Sequence, residues 1–486
     1  MAADQNQRGP GFGVATAYGV GAVSAGVLTQ ALTGLALLFY NQVVGLNPAV
    51  VGLALMISLV FDAFWDPAIG LWSDHIRSRM GRRHPFMYAA ILPAGLFFWL
   101  LWTPPAGLSD AGTFAWLVVM LLAARFFSSL YEVPSTALAP EMAPDYHART
   151  GLLGLRYFWG VVGAVGVSVL AFQVFLSERS GGLTRREGYA EFGLAGAAII
   201  ALTLLISCIG TQRTAAAFAP PPARSMRLAA LVSEVRVAFS NPNFLAIMFF
   251  SLFFAIAAGL TASLTTYFNL YLWGLSTDAL SLLALPGLIA SVTAVVLSPI
   301  VARRWGKMPS AVVLFALSIV TSVLPMGLRL LGLLPGNDWP WLVPLLFAET
   351  TLAATFTLMV MILSTSMLAD VVEDNAVKTG HRSEGLFFSV NGLLAKSVAG
   401  LGTLGAGLML TAVDFPRHAT PGMVSQEIVH RLAFLYMPVA LVLAVLSLLC
   451  LSRFRIDQAA HQHNLDRLRS MAAADEAAGA PHVDAA

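Results

Sequence analysis

The sequence predicts an all-α polytopic membrane protein, with about 12 transmembrane helices in two six-helix bundles. Three observations carry this. Hydrophobic residues make up 57% and charged residues only 11% of the 486 positions, whereas soluble domains carry about a quarter charged residues; mean hydropathy is +0.75. Apolar stretches of membrane-spanning length recur along the whole chain, separated by short polar turns. A short basic turn with a glycine follows the second stretch (Arg79-Met80-Gly81-Arg82-Arg83), and a similar one follows the eighth (Arg304-Trp305-Gly306-Lys307), at equivalent places in the two halves.

The first six runs fall near 14–40, 49–73, 85–103, 113–138, 151–176 and 192–212. The second six fall near 244–273, 279–302, 310–333, 341–369, 386–413 and 432–452. Each has the roughly 20 residues a helix needs to cross a bilayer, and they are too long for barrel strands. The organisation expected is a bundle over 1–212, a cytoplasmic linker with a possible surface helix over 213–243, a second bundle over 244–454, and a partly disordered cytoplasmic tail over 455–486. The linker holds Pro220-Pro221-Pro222, then Arg224, Arg227 and Arg236. Within it Leu228, Leu231, Val232, Val235 and Phe239 recur at helical spacing, as in a helix lying on the membrane surface. A plain interdomain connection is the stronger reading of this stretch, and a regulatory element the weaker.

Charge distribution orients the chain. With the N-terminus inside, about 19 Lys and Arg fall on cytoplasmic faces and about 5 outside, with Arg179, Arg185 and Arg186 the main exceptions. Both termini are therefore expected in the cytoplasm of a bacterial cell, with the protein in the inner membrane. Residues Asp4 to Arg8 are polar and the first apolar run is long, which does not fit a cleavable signal peptide. Cys208 and Cys450 both lie in apolar runs, so neither a structural disulfide nor a metal cluster is expected. A net charge of +2 gives no reason to expect a nucleic-acid partner.

The ionisable residues inside the apolar runs carry the chemistry, because such groups are costly at that depth and mark ion or substrate paths. Asp62 and Asp66, four residues apart, lie on the same side of the second helix. A carboxylate taken out of water binds a cation or takes up a proton, and two close together titrate as a pair. Pro67 lacks an amide proton and frees the carbonyl of Ala63 as a further oxygen. This suits sodium or a proton; the plain alternative is an ion pair with a basic residue on another helix. The fourth helix adds Arg125, Ser129, Glu132 and Thr136 at helical spacing, together with Ser128 and Pro134. Arg125 must find a partner in the bundle, either Asp62 or Asp66 or the substrate. Arg156 on the fifth helix and Lys396 deep in the eleventh are further basic candidates; Glu349 lies nearer the outer end of the tenth, where interface anchoring and a functional role compete. Asp74, Arg79, Arg82, Glu141, Arg149, Asp370, Glu373 and Arg382 cluster in the cytoplasmic turns, where charges can bias a gate or be simply solvated.

No Walker loop, metal-ligand spacing, nucleophile elbow or dinucleotide fingerprint appears. No enzyme activity and no cofactor are expected, and ATP-driven transport is not expected from this chain.

At these residues the chain resembles the glycoside–pentoside–hexuronide:cation symporters, the melibiose-permease branch of the major facilitator superfamily. Asp62-x-x-x-Asp66-Pro67-x-x-Gly70 followed by Ser78-Arg79-x-Gly81-Arg82 is similar to the family's helix-two motif. Tyr131-Glu132-Val133-Pro134 through Pro140-Glu141, with Asp145 to Arg149, resembles its helix-four segment. Ala369-Asp370-Val371-Val372-Glu373 and Gly380-His381-Arg382-Ser383-Glu384-Gly385 with Lys396 resemble its helix ten to eleven region. The resemblance implies the major facilitator fold, with Asp62, Asp66, Ser129 and Glu132 as the cation site. It implies that Arg156 and Lys396 lie close to the sugar and cation sites. Three positions depart from the pattern. Trp65 stands in place of an asparagine that helps bind sodium, which favours a proton. Ala25 and Gly26 replace a sugar-recognising Lys-Asp pair, and Thr136 replaces a tryptophan that stacks on galactoside.

The function expected is a cation-coupled symporter, driven by a proton or sodium, that imports a small organic solute by alternating access. A sugar or glycoside is the default substrate. Substrate contacts are expected from Arg125, Glu132, Arg156, Lys396, Thr136, Tyr267 and Asn269. An amphipathic lipid or sterol-like substrate is the alternative, and a non-transporting receptor or scaffold the third reading, which the buried carboxylates oppose. Besides the bilayer, the partners expected are the solute and the coupling cation, with a monomeric protein.

Overall fold

The computed structural model describes residues 10–76, 78, 80–143, 146–216, 239–379, 384–419, 422–456 and a few positions between 460 and 470. Twelve helices among them are long and apolar enough to cross a membrane. In the first half these are α1 (Phe12–Ala36), α2 (Pro48–His75), α3 (His84–Leu101), α4 (Asp110–Met142), α5 (Ala148–Phe175) and α6 (Arg186–Thr214). The second half holds α7 (Pro242–Leu272), α8 (Thr277–Trp305), α9 (Lys307–Leu330), α10 (Leu342–Val377), α11 (Leu386–Ala412) and α12 (Gln426–Leu451). No strand occurs among the described residues. The linker residues Arg224, Arg227 and Arg236, together with Arg79, Arg382 and most of the tail, lie outside them.

The helices start where local chemistry supplies the missing backbone partners. Asn47 caps α2 by accepting from the amide of Ala49 at 2.9 Å, with Pro48 at the first turn. Asn241 does the same for α7, accepting from Asn243 at 2.9 Å with Pro242 behind it. Both basic turns reverse direction on a glycine in the left-handed region, Gly81 at φ 86° and Gly306 at φ 82°. A side chain is disfavoured there, which explains why the repeat keeps a glycine among its arginines.

The same packing scheme appears twice. In the first half α1 packs on α5 and α6, α2 on α4, and α3 on α4 and α6. In the second half α7 packs on α11 and α12, α8 on α10, and α9 on α10 and α12. Each contact recurs six helices later, so the two bundles are structural repeats, as the paired basic turns imply.

The bundles meet chiefly through α2 and α11. A Cβ on Gly52 would stand 2.8 Å from the carbonyl oxygen of Thr403, and one on Gly400 2.9 Å from the Met56 side chain. Small residues allow this backbone-to-backbone approach in lipid, where association is driven by close packing and not by water. Further hydrogen bonds between the halves gather at the end opposite the arginine turn, called here the outer end. Gln42 donates to the carbonyl of Pro416 at 3.1 Å and accepts from the amide of Ala419 at 2.7 Å. Thr266 donates to the carbonyl of Gly34 at 2.8 Å, and Gln173 bonds Ser281. Helices α1, α5 and α7 all pass through π-helical turns where they reach this seal, at 32–36 and 39–43, 171–175 and 268–272.

Several helices outrun the apolar patterning. Asp74, Glu141, Asp370, Glu373 and Asp374, expected in turns, sit on the last turns of α2, α4 and α10. Hydropathy marks where lipid ends, while the helix continues for as long as its backbone bonds are worth keeping.

One packing contrast is testable. A Cβ on Gly402 would run into the carbonyl of Ile256, while nothing lies within 4 Å of one on Gly392 of the same helix. Gly402→Ala should lower stability by about 1–3 kcal/mol through overpacking, and Gly392→Ala should stay within about 0.5 kcal/mol. Thermal unfolding of the purified variants in detergent measures both.

Candidate functional site

The membrane-embedded charges resolve into two clusters. In the first, Asp62 of α2 accepts a hydrogen bond from Arg125 Nη1 of α4 at 2.8 Å. Lys396 of α11 reaches across from the other half, its Nζ lying 2.6 Å from Asp66 Oδ2 and 3.3 Å from Asp62 Oδ2. Two carboxylates thus face two cations, and the group is neutral overall. That neutrality is what permits four charges at this depth, since breaking such a set by removing one partner is strongly destabilising. One oxygen, Asp66 Oδ1, is buried with no hydrogen-bond partner, as is Arg125 Nε. Asp62 is buried, but the side chains of Asp66 and Lys396 remain 30% and 35% exposed.

Trp65, between the aspartates in sequence, packs into the apolar core. Its ring meets Phe61 at 5.4 Å and Phe126 at 5.1 Å between centroids, both edge-on. The indole brings no oxygen to the pair and its Nε1 is buried without a partner. The local donor set is therefore rich in carboxylate oxygen but poor in neutral oxygens.

In the second cluster Glu132 of α4 pairs with Arg156 Nη2 of α5, and Arg156 Nη1 donates to Ser135 Oγ at 2.8 Å. The guanidinium also lies over the Tyr18 ring of α1, 5.3 Å from its centroid. Glu132 Oε1 is buried and unpartnered, while the buried hydroxyls of Tyr18 and Tyr131 lie beside Arg156 and beside Ser135 and Ser207. Buried polar groups are normally satisfied, so Glu132 Oε1 is the acceptor this cluster leaves free. A small void beside Tyr131, lined also by Ser24 and Ser128, has room for about one water.

Glu132 makes its ion pair with Arg156, apart from the Arg125 and Lys396 pairs of the aspartates. Arg125 and Glu132 share the polar stripe of α4, but seven residues raise the helix by about 10 Å, and the stripe passes from α2 to α5 over that length. Ser129 is buried between the two levels, and Thr136 is exposed one turn beyond Glu132. Tyr267 is fully buried in the outer seal: its hydroxyl donates to Asn41 Oδ1 at 3.0 Å, and its ring packs edge-on against Phe415 at 5.4 Å. Asn269 lies in the π-helical turn that follows it.

At the basic end, two sets of ion pairs each lie inside one half. Arg82 and Arg83 both hold Glu141, with Arg83 Nη2 at 2.7 Å, and both approach Asp74 at 3.9 and 3.5 Å. Lys307 holds Asp370 at 2.6 Å. Arg149 stands in the first turns of α5 and Glu373 near the end of α10. Residues that sequence reasoning missed include Asn41, Gln42, Gln173 and His418 of the outer seal. The one available signal was the Asn41-Gln42 pair directly after the first apolar run.

This fold, with charged residues paired at mid-membrane between two repeats, defines a secondary transporter of the major facilitator superfamily and not an enzyme. The model of the MFS/sugar transport protein family matches residues 17–458. The chain belongs to that family, the glycoside–pentoside–hexuronide:cation symporters. It is 25% identical to the isoprimeverose transporter of Lactiplantibacillus pentosus, over 86% of this chain and 84% of that one. With the putative glycoside/cation symporter YagG of Escherichia coli it shares 24% identity, over 92% and 93%. Among solved structures, a bacterial homologue of the human lysosomal transporter Spinster superposes with a TM-score of 0.62 at 15% identity, covering 94% of this chain and 97% of that one. The nucleoside transporter NupG gives 0.57 at 15% identity, covering 91% and 99%.

The cross-half pair makes a prediction of its own. Lys396→Gln and Asp66→Asn should each lower the unfolding temperature, and the double variant should lose less than the sum of the two. The coupling energy is expected at about 0.5–3 kcal/mol, read from a double-mutant cycle on the purified protein.

Proposed function

We propose that this protein is a cation-coupled symporter that imports a small organic solute, most simply a sugar or glycoside, across a bacterial inner membrane. The observation that carries this reading is Lys396 of one half held by Asp62 and Asp66 of the other at mid-membrane. A cation that binds these carboxylates competes with Lys396 and so acts on the contact between the halves. Binding of ion and relative position of the halves are then linked, which is the thermodynamic requirement for coupling.

A proton suits the site better than sodium. Asp66 Oδ1 is a free buried acceptor on a side chain that water still reaches, and one proton there removes half of the negative charge that holds Lys396. Sodium needs several oxygens in its place, and Trp65 supplies none. The solute site is assigned to the second cluster, where Glu132 and Arg156 offer charged acceptor and donor groups suited to sugar hydroxyls, with Tyr18 and Tyr131 beside them.

With the basic end in the cytoplasm, as the distribution of Lys and Arg supports, the arrangement is that of an inward-facing transporter. The outer end is closed by the Gln42, Thr266 and Gln173 contacts, yet Asp66 and Lys396 keep about a third of their side-chain surface. Rocking of the repeats would exchange the outer seal for a seal at the basic end, where Arg82, Glu141, Lys307 and Asp370 stand ready on helix ends.

Uptake into proteoliposomes tests the proposal, with a panel of labelled glycosides and pentosides under an imposed proton or sodium gradient. A proton gradient should drive accumulation. Asp66→Asn should reduce that accumulation about tenfold or more, the equivalent of ~1.4 kcal/mol of lost coupling, while downhill exchange of the same solute persists. Full accumulation in both Asp62→Asn and Asp66→Asn would remove the coupling assignment, and accumulation under sodium alone would move it to that ion.

A further inference from the structure

Asp62, Asp66 and Glu132 all face basic side chains. Glu349 of α10 does not. It lies seven residues inside the outer start of the helix at Leu342, about 10 Å along the axis. Trp339 and Trp341 precede that start at the level where aromatic belts meet the headgroups. A glutamate side chain is too short to bring its carboxyl back over such a distance. Nor does the residue face outward: it sits beside the buried stripe of Leu342, Leu346 and Ala353, while Pro344, Ala348 and Leu352 form the exposed face.

The charged groups of the surrounding helices are paired elsewhere or stand at other levels, among the described residues. Arg329 of α9 donates to the carbonyl of Pro335 and to Asn337 Oδ1, and its guanidinium lies over Trp273 at 5.9 Å. Lys307 of α9 is at the basic end with Asp370, as are Arg303 and Arg304 on the last turn of α8. Asp278 marks the outer start of α8. Lys396 of α11 belongs to the aspartates. On α12, Glu427 and Arg431 pair with each other and His430 stands between them in the first turns. On α7 the hydroxyls of Tyr267 and Tyr271 are committed to Asn41 and to the carbonyl of Ala419.

What Glu349 does have is hydroxyl company. Thr350 Oγ1 donates to Glu349 Oε2 at 3.1 Å. A carboxylate with a hydroxyl neighbour, no cation and a membrane around it is not stable as an anion; the inexpensive way to keep it there is as the neutral acid.

We propose that Glu349 is a proton-binding site in the C-terminal half, separate from the Asp62–Asp66 pair, held as the neutral acid beside the Thr350 hydroxyl. The site stands independently of the coupling role given above to Asp62 and Asp66.

Infrared difference spectroscopy of the lipid-reconstituted protein, stepped between acidic and alkaline pH, tests this without a known solute. Wild-type protein should show a protonated-carboxyl stretch that survives at neutral pH. Glu349→Gln should lose it, Glu349→Asp should shift its frequency, and Asp62→Asn and Asp66→Asn should keep it. A band unchanged in folded Glu349→Gln and Glu349→Asp, or no such band in wild type, overturns the proposal. A band lost equally in Asp66→Asn overturns the separation of the two sites. Should uptake remain fully coupled in the helix-two variants while the Glu349 band behaves as stated, only the coupling assignment falls.

Discussion

Everything that distinguishes this molecule from a plain bundle of apolar helices depends on Lys396 being shared by Asp62 and Asp66. The ammonium is carried by one repeat and the carboxylates by the other, so a single ion-pair geometry registers their relative position. It sits where the close glycine packing of α2 against α11 gives out: Gly52 and Gly400 are tight, Lys396 follows, and Gly392 is open. The dispersion contacts above it fix the helices near each other, and the ion pair below them is the part that chemistry can switch. A buried charge pair contributes little net stability compared with an apolar substitute, so its retention is better understood as a device for specifying one arrangement of the halves.

The outer seal works differently. Its contacts are neutral amides, hydroxyls and aromatic rings from helices whose last turns are π-helical, a geometry often found at functional positions. Such contacts are individually modest and can be exchanged for others without stranding a charge. The basic end instead carries charge pairs on helix ends, among them Arg82 and Arg83 with Glu141 in one half and Lys307 with Asp370 in the other. The two ends are thus built from different kinds of contact.

Much of this was legible in the sequence because lipid imposes strict rules. Helix count and the two-fold repeat follow from the length and spacing of the apolar runs, and Asp62, Asp66, Arg125, Glu132, Arg156 and Lys396 stand out because charge is expensive in such runs. The pairings did not follow. Lys396 and Asp66 are 330 positions apart, and no local pattern tells which helix of one half meets which of the other. Glu132 was grouped with the aspartates through the family resemblance and its place on the α4 stripe; its ion-pair partner in the structure is Arg156. The substrate-facing role expected for Tyr267 rested on its place among hydrogen-bonding residues in the outer half of α7, and the structure places that hydroxyl in the seal with Asn41. Helix ends were misjudged wherever a helix runs past the lipid, which moved Glu141 and Asp370 from turns onto helices.

The central claim is that the coupling cation and Lys396 compete for the same two carboxylates. The chain contains three lysines, Lys307, Lys378 and Lys396, so reductive methylation followed by mass spectrometry reads each one separately. Labelling of Lys396 should be slow at neutral pH without sodium, and should quicken when a neutral Asp66, made by Asp66→Asn, releases the amine, with Lys307 as an internal standard. Equal Lys396 labelling rates in wild type and Asp66→Asn would contradict the account.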